Sequence, residues 1–455
     1  MDRRQFLQTS LAGLGTLYIP SWAMAAPNRR VADEHFFLQI LVQGGMDPLY
    51  LFDSRSLALT AAGKQAHYHN VEPYLWQGTN GQSTLASDLV RPLEAYKDRF
   101  SILNGVMMAT TFDGHDQNMN FYLAGNAFGG ECFLPHLNGG EQSKPLDGLI
   151  SGFILAELQN LGKTVPLGVD SAANLIPRLK QLPSLDLKDP VLAQLKGRME
   201  ANGQGLGRFA KGSSDMAEAF SQMPELASAL AKVDTSAANK EGLTDEEKFL
   251  HLAAGIFRSG VAKTAILVLS TDQAVDTHDE GGAKASPALA QAVVGKLDKI
   301  FKAMGDIEFG PGQSLWDVTT LMFGSEFGRT MRQSGKPIDN TGTDHNPLNN
   351  SFLIGGKGVK SNLVIGASDF KTADEELSGA HLSKDKESMK TVGRPFDFQT
   401  QSSREDKPAE FKADDYLNVA SVVNTIYHLY GVSSEHYRSL SRNGSSAPIL
   451  TALLK

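Results

Sequence analysis

Carboxylate and imidazole side chains follow four apolar segments of the sequence, each near the point where the segment ends. These side chains belong to Asp47, His115, Asp276, His278, Glu326, Asp344 and His345. Oxygen and nitrogen ligands without thiols suit zinc, manganese, magnesium or calcium. The same side chains also serve as general acids and bases. Their types and positions therefore predict a metal or acid–base site assembled from segments that are far apart in the chain.

The segments that must position these groups have the length and composition of buried strands. They are mostly apolar and occupy residues 36–42, 100–103, 265–269 and 318–323. Such runs are typical of strands that are covered on both faces. Helices are predicted at residues 245–258 and 286–304, so that strands and helices alternate as βαβ units require. The sequence therefore predicts an α/β fold, in which residues at the carboxyl ends of parallel strands share one crevice.

Further helices and one insertion complete the predicted organisation. The helices are placed at residues 85–96, 119–123, 149–161 and 416–430, and Asp113 or Asp116 is expected to cap the second of them. Residues 170–245 are rich in Leu, Ala, Lys, Glu and Gln, with Gly and Ser spacers, which indicates a helical insertion or cap. The 455 residues suffice for one large α/β domain with insertions or for two domains. We predict a single domain over residues 26–455.

A purely structural role is the alternative explanation for these polar groups. Asp47 precedes Pro48 and would serve as a turn residue, and Asp344-His345 would do the same in a glycine-rich loop. The recurrence of such groups at several strand ends favours a functional site. His115 lies near a helix start, where free N–H groups attract anions, and is predicted to be catalytic.

Composition excludes several classes of function. The formal net charge of −8 provides no basic field for nucleic acid or anionic lipid. Cys132 is the single cysteine, so the chain has neither an intrachain disulfide nor a cysteine-cluster metal site. We find no Walker-type loop and no dinucleotide fingerprint, so a nucleotide cofactor is not expected.

The first 25 residues have the pattern of an export signal. Arg3-Arg4 precede Phe6-Leu7, a weakly apolar segment spans Leu11 to Ile19, and Ala23-Met24-Ala25 forms a cleavage site. The paired arginines resemble a twin-arginine signal, although Asp2 replaces the usual Ser or Thr. We therefore predict export by the twin-arginine translocase to the periplasm or the exterior. That route carries folded proteins, often with a cofactor already bound.

Short motifs carry a resemblance to known proteins. They are Gln43-Gly44-Gly45-Met46-Asp47, Asp276-Thr277-His278, Ser325-Glu326-Phe327-Gly328-Arg329-Thr330, Gly342-Thr343-Asp344-His345 and the Gly-Gly-Lys-Gly-Val-Lys stretch at 355–360. With the leader, they resemble a bacterial family of exported proteins, domain of unknown function 1501. The order of the Asp and His groups also resembles the alkaline phosphatase/sulfatase superfamily. Residues 170–245 contribute nothing to the resemblance.

This resemblance implies an alkaline-phosphatase-like three-layer sandwich with a mostly parallel central sheet and one or two bound metal ions. Carried over residue by residue, the implied metal ligands are Asp47, Asp276, His278, Glu326, Asp344 and His345. Phe327 departs from the pattern, because superfamily members place a histidine there in a Ser-Asp-His-Gly motif. Phenylalanine cannot ligate a metal, so we expect one divalent ion (zinc, manganese, magnesium or calcium) rather than two.

Two alignments of the late histidine remain open. In the first, Asp344-His345 matches a separate, later histidine of the superfamily. In the second, it matches the Asp-His pair itself, and His381 is then the obvious later histidine. The first alignment preserves the order of the strands and is preferred.

The nucleophile is the second departure from the superfamily pattern. Neither Ser nor Thr begins the helix that follows Asn104-Gly105, while Thr110 and Thr111 precede it. Either Thr111 or a metal-activated water would attack, and Arg329, if it points inward, would stabilise the departing anion. The predicted function is an exported metal-dependent hydrolase of small anionic phosphate or sulfate esters. The alternative is a non-catalytic periplasmic binding or assembly protein with a protein partner and one retained metal.

Overall fold

The computed structural model of the chain describes residues 35–54, 72–108, 114–127, 132–138, 149–151, 233–260, 262–269, 276–330, 341–370, 391–406, 415–432 and 447–455. The predicted export leader, Thr111, His381 and most of the predicted insertion at 170–245 lie outside these residues. The predicted single domain with its insertion therefore stays a prediction.

The strands of the described residues fall into one large sheet and several two-stranded ribbons. They are β1 (Phe36–Val42), β2 (Pro73–Gln77), β3 (Ser83–Ser87), β4 (Phe100–Leu103), β5 (Leu149–Ile150), β6 (Thr264–Leu269), β7 (Glu308–Gly310), β8 (Gln313–Ser314), β9 (Thr319–Ser325), β10 (Gly328–Arg329), β11 (His345–Asn346), β12 (Phe352–Gly356), β13 (Val364–Ile365), β14 (Ser368–Phe370), β15 (Thr391–Gly393), β16 (Phe396–Asp397) and β17 (Ser402–Ser403). The ribbons pair β2 with β3, β7 with β8, β10 with β11, β14 with β15, and β16 with β17.

The central sheet has the strand order β13-β4-β12-β9-β1-β6-β5. β1 lies between β9 and β6 and is parallel to both. β5 is parallel to β6, and β13 is parallel to β4. Only β12 within this sheet runs antiparallel to its neighbours β4 and β9. β4 therefore points in the same direction as β9 and β1, and the predicted mostly parallel sheet is confirmed.

Hydrophobic cores cover both faces of this sheet. Alternate side chains of β1 enter different cores, because successive strand residues point to opposite faces. Leu38 and Ile40 belong to one core, and Phe37 and Leu41 belong to the other. Burial on both faces explains why β1 is an almost continuous apolar run, and the predicted three-layer α/β sandwich follows from it.

The α-helices of the described residues are α1 (His115–Ala124), α2 (Asp245–Arg258), α3 (Gly282–Asp306), α4 (Leu315–Val318) and α5 (Val419–Leu429). α2 and α3 pack in the core of Leu38, and α1 and α5 in the core of Phe37. α2 has its predicted bounds, because a Thr244–Glu247 capping box begins it. None of the described helices is both long and apolar enough to cross a membrane.

Several predicted elements differ from the structure. The helix predicted at residues 85–96 is a strand, β3, followed by a 3₁₀ helix at Asp88–Tyr96 that contains Pro92. The start of the helix predicted at 149–161 is the strand β5, which pairs with β6. α1 begins earlier than predicted, and its N-cap is Gly114 rather than Asp116. Short apolar runs do not distinguish strand from helix, and a partner strand decided the outcome at β5.

Candidate metal centre

The candidate site lies at the carboxyl edge of the central sheet. β9, β1 and β6 are adjacent there, and β4 ends at the same edge because it runs in their direction. Glu326 directly follows β9, the glycines Gly44 and Gly45 follow β1, and His115 opens α1 after β4. The four predicted strand ends therefore meet, as the rule for parallel sheets requires.

Three imidazoles form the centre of the site. One nitrogen from each of His115, His278 and His345 lies within 4.8 Å of the corresponding nitrogens of the other two. The Nε2 atoms of His345 and His115 are 3.1 Å apart. Two nitrogen ligands about 2.05 Å from one tetrahedral ion are roughly 3.3 Å apart, so this spacing matches a pair of ligands on a shared ion. The three residues could therefore hold a divalent metal ion.

Two carboxylates orient two of these imidazoles. Glu326 Oε1 is 2.8 Å from Nδ1 of His115, and Asp276 Oδ1 bonds to Nδ1 of His278. When Nδ1 donates its hydrogen to a carboxylate, Nε2 keeps a lone pair for a metal, which is how histidine ligands are commonly fixed. Asp276 Oδ2 also lies 3.2 Å from Nε2 of His115. The donor chemistry thus fits a metal with three imidazole ligands and carboxylates behind or beside them.

Glu326 is almost fully buried, with a side chain that is 1% exposed, and two hydrogen-bond donors hold its carboxylate in place. The backbone N–H of Gly44 donates to Oε1 over 2.7 Å, and the hydroxyl of Ser325 donates to Oε2 over 2.8 Å. A buried carboxylate needs such donors to offset its desolvation. Both donors come from strand ends, β1 and β9, so the sheet itself fixes the carboxylate that orients His115.

Arg329 places a buried positive charge in the middle of the cluster. Its side chain is 1% exposed, and its Nη2 donates to Asp276 Oδ1 over 2.7 Å. Nε donates to the carbonyl of Gly44 over 2.9 Å, and Nη2 bonds to the same oxygen. Nη1 is 3.2 Å from both Nδ1 and Nε2 of His278, so it is equally close to the two ring nitrogens. The guanidinium does point inward, as the sequence prediction required for a role on an anion.

Phe327 forms the floor of the site. It is completely buried, and its ring centroid lies 4.3 Å from that of His345 and 4.7 Å from that of His115. The guanidinium carbon of Arg329 lies 5.3 Å from the same ring. The ring of Phe327 therefore packs against two imidazoles and one cation.

Close backbone packing brings the loops together. Gly45 has φ +75°, and a Cβ placed there would lie 2.3 Å from Phe327 and 2.9 Å from Nε of Arg329. β10 and β11 then set Arg329 opposite His345. The hydroxyl of Thr330 accepts from the N–H of Asp344 over 2.8 Å, which fixes the residue before His345. Glycine at position 45 is therefore required by both its backbone angle and its neighbours.

Burial and neighbouring charge keep His345 neutral. Its desolvation, aided by the positive charge of Arg329, lowers the pKa of His345 to about 3. Burial alone would raise the pKa of Asp276, but Arg329 and the hydrogen bond from His278 outweigh it and lower that pKa below its ordinary value. A neutral imidazole beside an ionised carboxylate is the protonation state that metal binding needs.

Asp47 is placed apart from the three imidazoles. It caps a short 3₁₀ helix by accepting from the N–H of Leu49 over 3.0 Å, while its other oxygen, Oδ2, is buried without a hydrogen-bond partner. Desolvation raises the pKa of Asp47 to about 8. Asp47 shares a small cleft with Arg329, Thr277 and Ser286. One oxygen of Asp47 thus has the turn role that was the structural alternative, and its predicted role as a metal ligand would fall to Oδ2 and stays a prediction.

The predicted site residues are distributed as follows. The structure brings together His115, Asp276, His278, Glu326, Arg329, Asp344 and His345. Asp344 is at the edge, with Oδ1 3.9 Å from Nε2 of His278. Thr111 lies outside the described residues. The sequence motifs contain Ser325 and Gly44 but do not indicate that both donate to Glu326, because these roles depend on which loops the sheet places side by side.

An α/β sandwich with imidazoles and carboxylates at the carboxyl edge of a parallel sheet is an architecture suited to metal-dependent chemistry. The family model described as "Protein of unknown function (DUF1501)" matches residues 191–385 of the chain. The predicted family resemblance is confirmed over this range, which contains Asp276, Glu326 and His345 but not Asp47. The range also includes most of residues 170–245, so the expectation that this stretch contributes nothing was wrong.

Several solved structures are similar to the chain at low sequence identity. The lipoteichoic acid synthase LtaP from Listeria monocytogenes is 9% identical, with 95% of this chain and 83% of that chain covered and a TM-score of 0.32. The PsFucS1 sulfatase from Pseudoalteromonas sp. is 10% identical, with 92% and 76% covered and a TM-score of 0.31. The C-terminal periplasmic domain of EcEptC from Escherichia coli, in complex with Zn, is 10% identical, with 94% and 91% covered and a TM-score of 0.30. No curated protein sequence matches the chain.

Proposed function

We propose that this protein is a hydrolase of phosphate or sulfate esters that depends on one divalent metal ion. The observation that carries the proposal is the cluster of His115, His278 and His345, whose ligand nitrogens lie within 4.8 Å of one another. Carboxylates orient two of the three rings, and a buried guanidinium lies beside them. A bound ion would supply Lewis acidity and a more acidic water.

The side chains of the site divide into holding and substrate-binding roles in this proposal. His115, His278 and His345 hold the ion, and Glu326 and Asp276 orient the first two of them. This proposal reassigns His115 from catalyst to ligand, and Glu326 and Asp276 from ligands to orienting groups. Arg329 has the fixed positive charge that an ester oxyanion would contact, and its contacts with Gly44 O and Asp276 keep it in place before substrate arrives.

Water is the nucleophile that the described residues favour. The hydroxyls of Thr277 and Thr343 lie 2.6 Å apart and bond to each other, and the hydroxyl of Ser325 donates to Glu326. Each of these nearby hydroxyls is therefore engaged. Asp344, whose side chain is half exposed, is placed at the rim of the cluster and would receive a proton from the attacking water.

Metal content and turnover together test this proposal. Purified protein should contain about one equivalent of zinc or manganese and should hydrolyse some members of a panel of aryl phosphates, phosphonates and sulfates. His345→Ala should lose the ion and lower kcat/KM at least about 100-fold, because it removes one of three ligands. His251→Ala, which changes a histidine on α2, is the matched control and should retain both the bound ion and the wild-type kcat/KM. A protein that binds no divalent ion and has no turnover with any added ion would contradict the proposal.

A non-catalytic binding or assembly protein is the second candidate function. The engaged hydroxyls and Phe327, in place of a histidine ligand, favour it. In that case Asp344→Ala would alter thermal stability or partner binding without affecting any turnover. Metal-dependent turnover that Asp344→Ala abolishes would reject this candidate.

We also propose that the protein is exported by the twin-arginine translocase and acts in the periplasm or outside the cell. The support is the sequence pattern of residues 1–25. Its partner would be a small anionic ester or, for the second candidate, a periplasmic protein, and the formal charge of −8 argues against nucleic acid. Replacing Arg3 and Arg4 by Lys should leave the precursor uncleaved in the cytoplasm, and a leader that still exports would contradict this route.

A further inference from the structure

Arg329 places its guanidinium among the side chains that surround the three imidazoles. Its guanidinium contacts Asp276 Oδ1 at 2.7 Å and the ring of His278 at 3.2 Å, and its Nη2 lies 3.4 Å from Nε2 of His115. It also lines the cleft into which Asp47 faces. Asp276, which lies beside the imidazoles of His115 and His278, is therefore already paired with a cation.

Contacts within the protein hold Arg329 in place. The Gly44 carbonyl accepts from both Nε and Nη2, and that carbonyl belongs to the loop that ends β1. The backbone of Arg329 is paired with His345 in the β10–β11 ribbon. Gly45 leaves room for Nε, and Phe327 lies under the guanidinium. The side chain is thus fixed by strand ends and packing, and an arginine guanidinium keeps its positive charge at neutral pH.

We propose that Arg329 is a built-in cation that replaces a second metal ion and limits the site to one. The inference rests on the proposed metal-dependent function and concerns the composition of the same site. Two-metal centres hold their ions about 3.5–4 Å apart, with carboxylates shared between them. Here Asp276 is shared between the imidazoles and Arg329 instead. An ester oxyanion would accordingly be held between one exchangeable metal and one permanent guanidinium.

Metal stoichiometry in matched variants tests this inference. The variants are Arg329→Gln, which removes the charge, and Arg329→Lys, which keeps it; both lose the paired contacts with Gly44. Titration with Zn²⁺ followed by elemental analysis should give one ion per chain for the wild type and the Lys variant, and two for the Gln variant. Loading with Mn²⁺ should give the spectrum of a coupled ion pair by electron paramagnetic resonance only in the Gln variant.

The outcomes separate this inference from the proposed function. Two ions in the wild type, or one ion in a folded Gln variant, would overturn the role of Arg329 and leave a metal-dependent hydrolase intact. A wild type that binds no ion would overturn both. If the Gln variant does not fold, the wild type is titrated with Mn²⁺ to millimolar concentration and examined by electron paramagnetic resonance. The spectrum of a coupled ion pair would overturn the inference, and saturation at one ion would support it.

Discussion

At the scale of single residues, the carboxylates have different roles even though they look alike in the sequence. Glu326 is buried and bonds to His115, Asp276 joins two histidines to Arg329, and Asp344 lies half exposed at the rim. Asp47 keeps one oxygen on its own turn. Sequence spacing indicated that all four lie at strand ends. It could not separate ligand from orienting group, because that depends on which oxygen faces which nitrogen.

Glu326→Gln tests the orienting role directly. The amide fills the same space but removes the negative charge that fixes the Nδ1–H of His115. Loss of such a carboxylate partner typically weakens metal binding about 10–100-fold. Calorimetric titration with Zn²⁺ should therefore show a Kd raised by that factor. The thermal unfolding curve of the metal-free protein should keep nearly the same shape as that of the wild type.

Glu246→Gln is the matched control for Glu326→Gln. Glu246 is also a buried glutamate, but it lies on α2 and bonds to Lys296. Its replacement should leave the affinity for Zn²⁺ unchanged. Equal affinity in wild type and Glu326→Gln would show that His115 does not rely on the carboxylate.

At the scale of elements, the site depends on how closely the loop after β1 approaches the β10–β11 ribbon. The loop after β1 contributes both backbone groups of Gly44, and the β10–β11 ribbon contributes Arg329 and His345. The N–H of Met46 donates to the carbonyl of Phe327 over 3.2 Å and joins the two. A change that separates these loops should therefore reduce stability and metal binding together.

Gly45→Ala is the smallest such change. A left-handed backbone costs an alanine about 1–2 kcal/mol, and the methyl group would overlap Phe327, adding roughly 1–3 kcal/mol. Gly242→Ala separates the two causes, because Gly242 has φ +84° and no atom within 4 Å of the added Cβ. Urea unfolding should show a larger loss for Gly45→Ala, and only that variant should bind Zn²⁺ more weakly. Equal losses would mean that Phe327 moves aside freely.

The same elements show how far the sequence alone could predict the structure. β1 and α2 have their predicted bounds, because a doubly buried strand and a capping box are local signals. β5 was predicted as helix, and the pairing that makes it a strand comes from β6, more than a hundred residues away. Similarly, Phe327 was recognised as a missing ligand, but its packing under His345 required the β10–β11 ribbon. Long-range contacts account for the remaining differences.

At the scale of the whole molecule, histidines lie near both ends of β1 and have different roles. The metal centre is at its carboxyl end, and His35 precedes its amino end. His35 Nε2 lies 2.6 Å from the hydroxyl of Thr320, which itself donates to the carbonyl of Lys357. The ring stacks on Tyr430 with centroids 4.3 Å apart. His35 thus joins β1, β9, the turn after β12 and α5, far from the proposed ion.

Acid should therefore destabilise the fold through His35 independently of metal. Burial, together with the positive charges of Lys357 and Lys263, lowers the pKa of His35 to about 4 from 6.5. Because the pKa of His35 is lower in the folded protein than in the unfolded chain, the neutral imidazole favours the folded state. This contribution to the free energy of unfolding is fully present at pH values above the unfolded-state pKa of about 6.5. It is lost as the pH falls from about 6.5 to about 4. His35→Gln has no such titration. The difference in unfolding free energy between wild type and variant should change by up to about 3 kcal/mol across that window and stay constant above pH 7, measured by urea unfolding with a metal chelator present.

Metal affinity at neutral pH should be equal in the two proteins, because β1 separates His35 from the site. A difference in unfolding free energy that is flat from pH 7 to pH 4 would show that His35 is protonated in the folded protein as readily as in the unfolded chain.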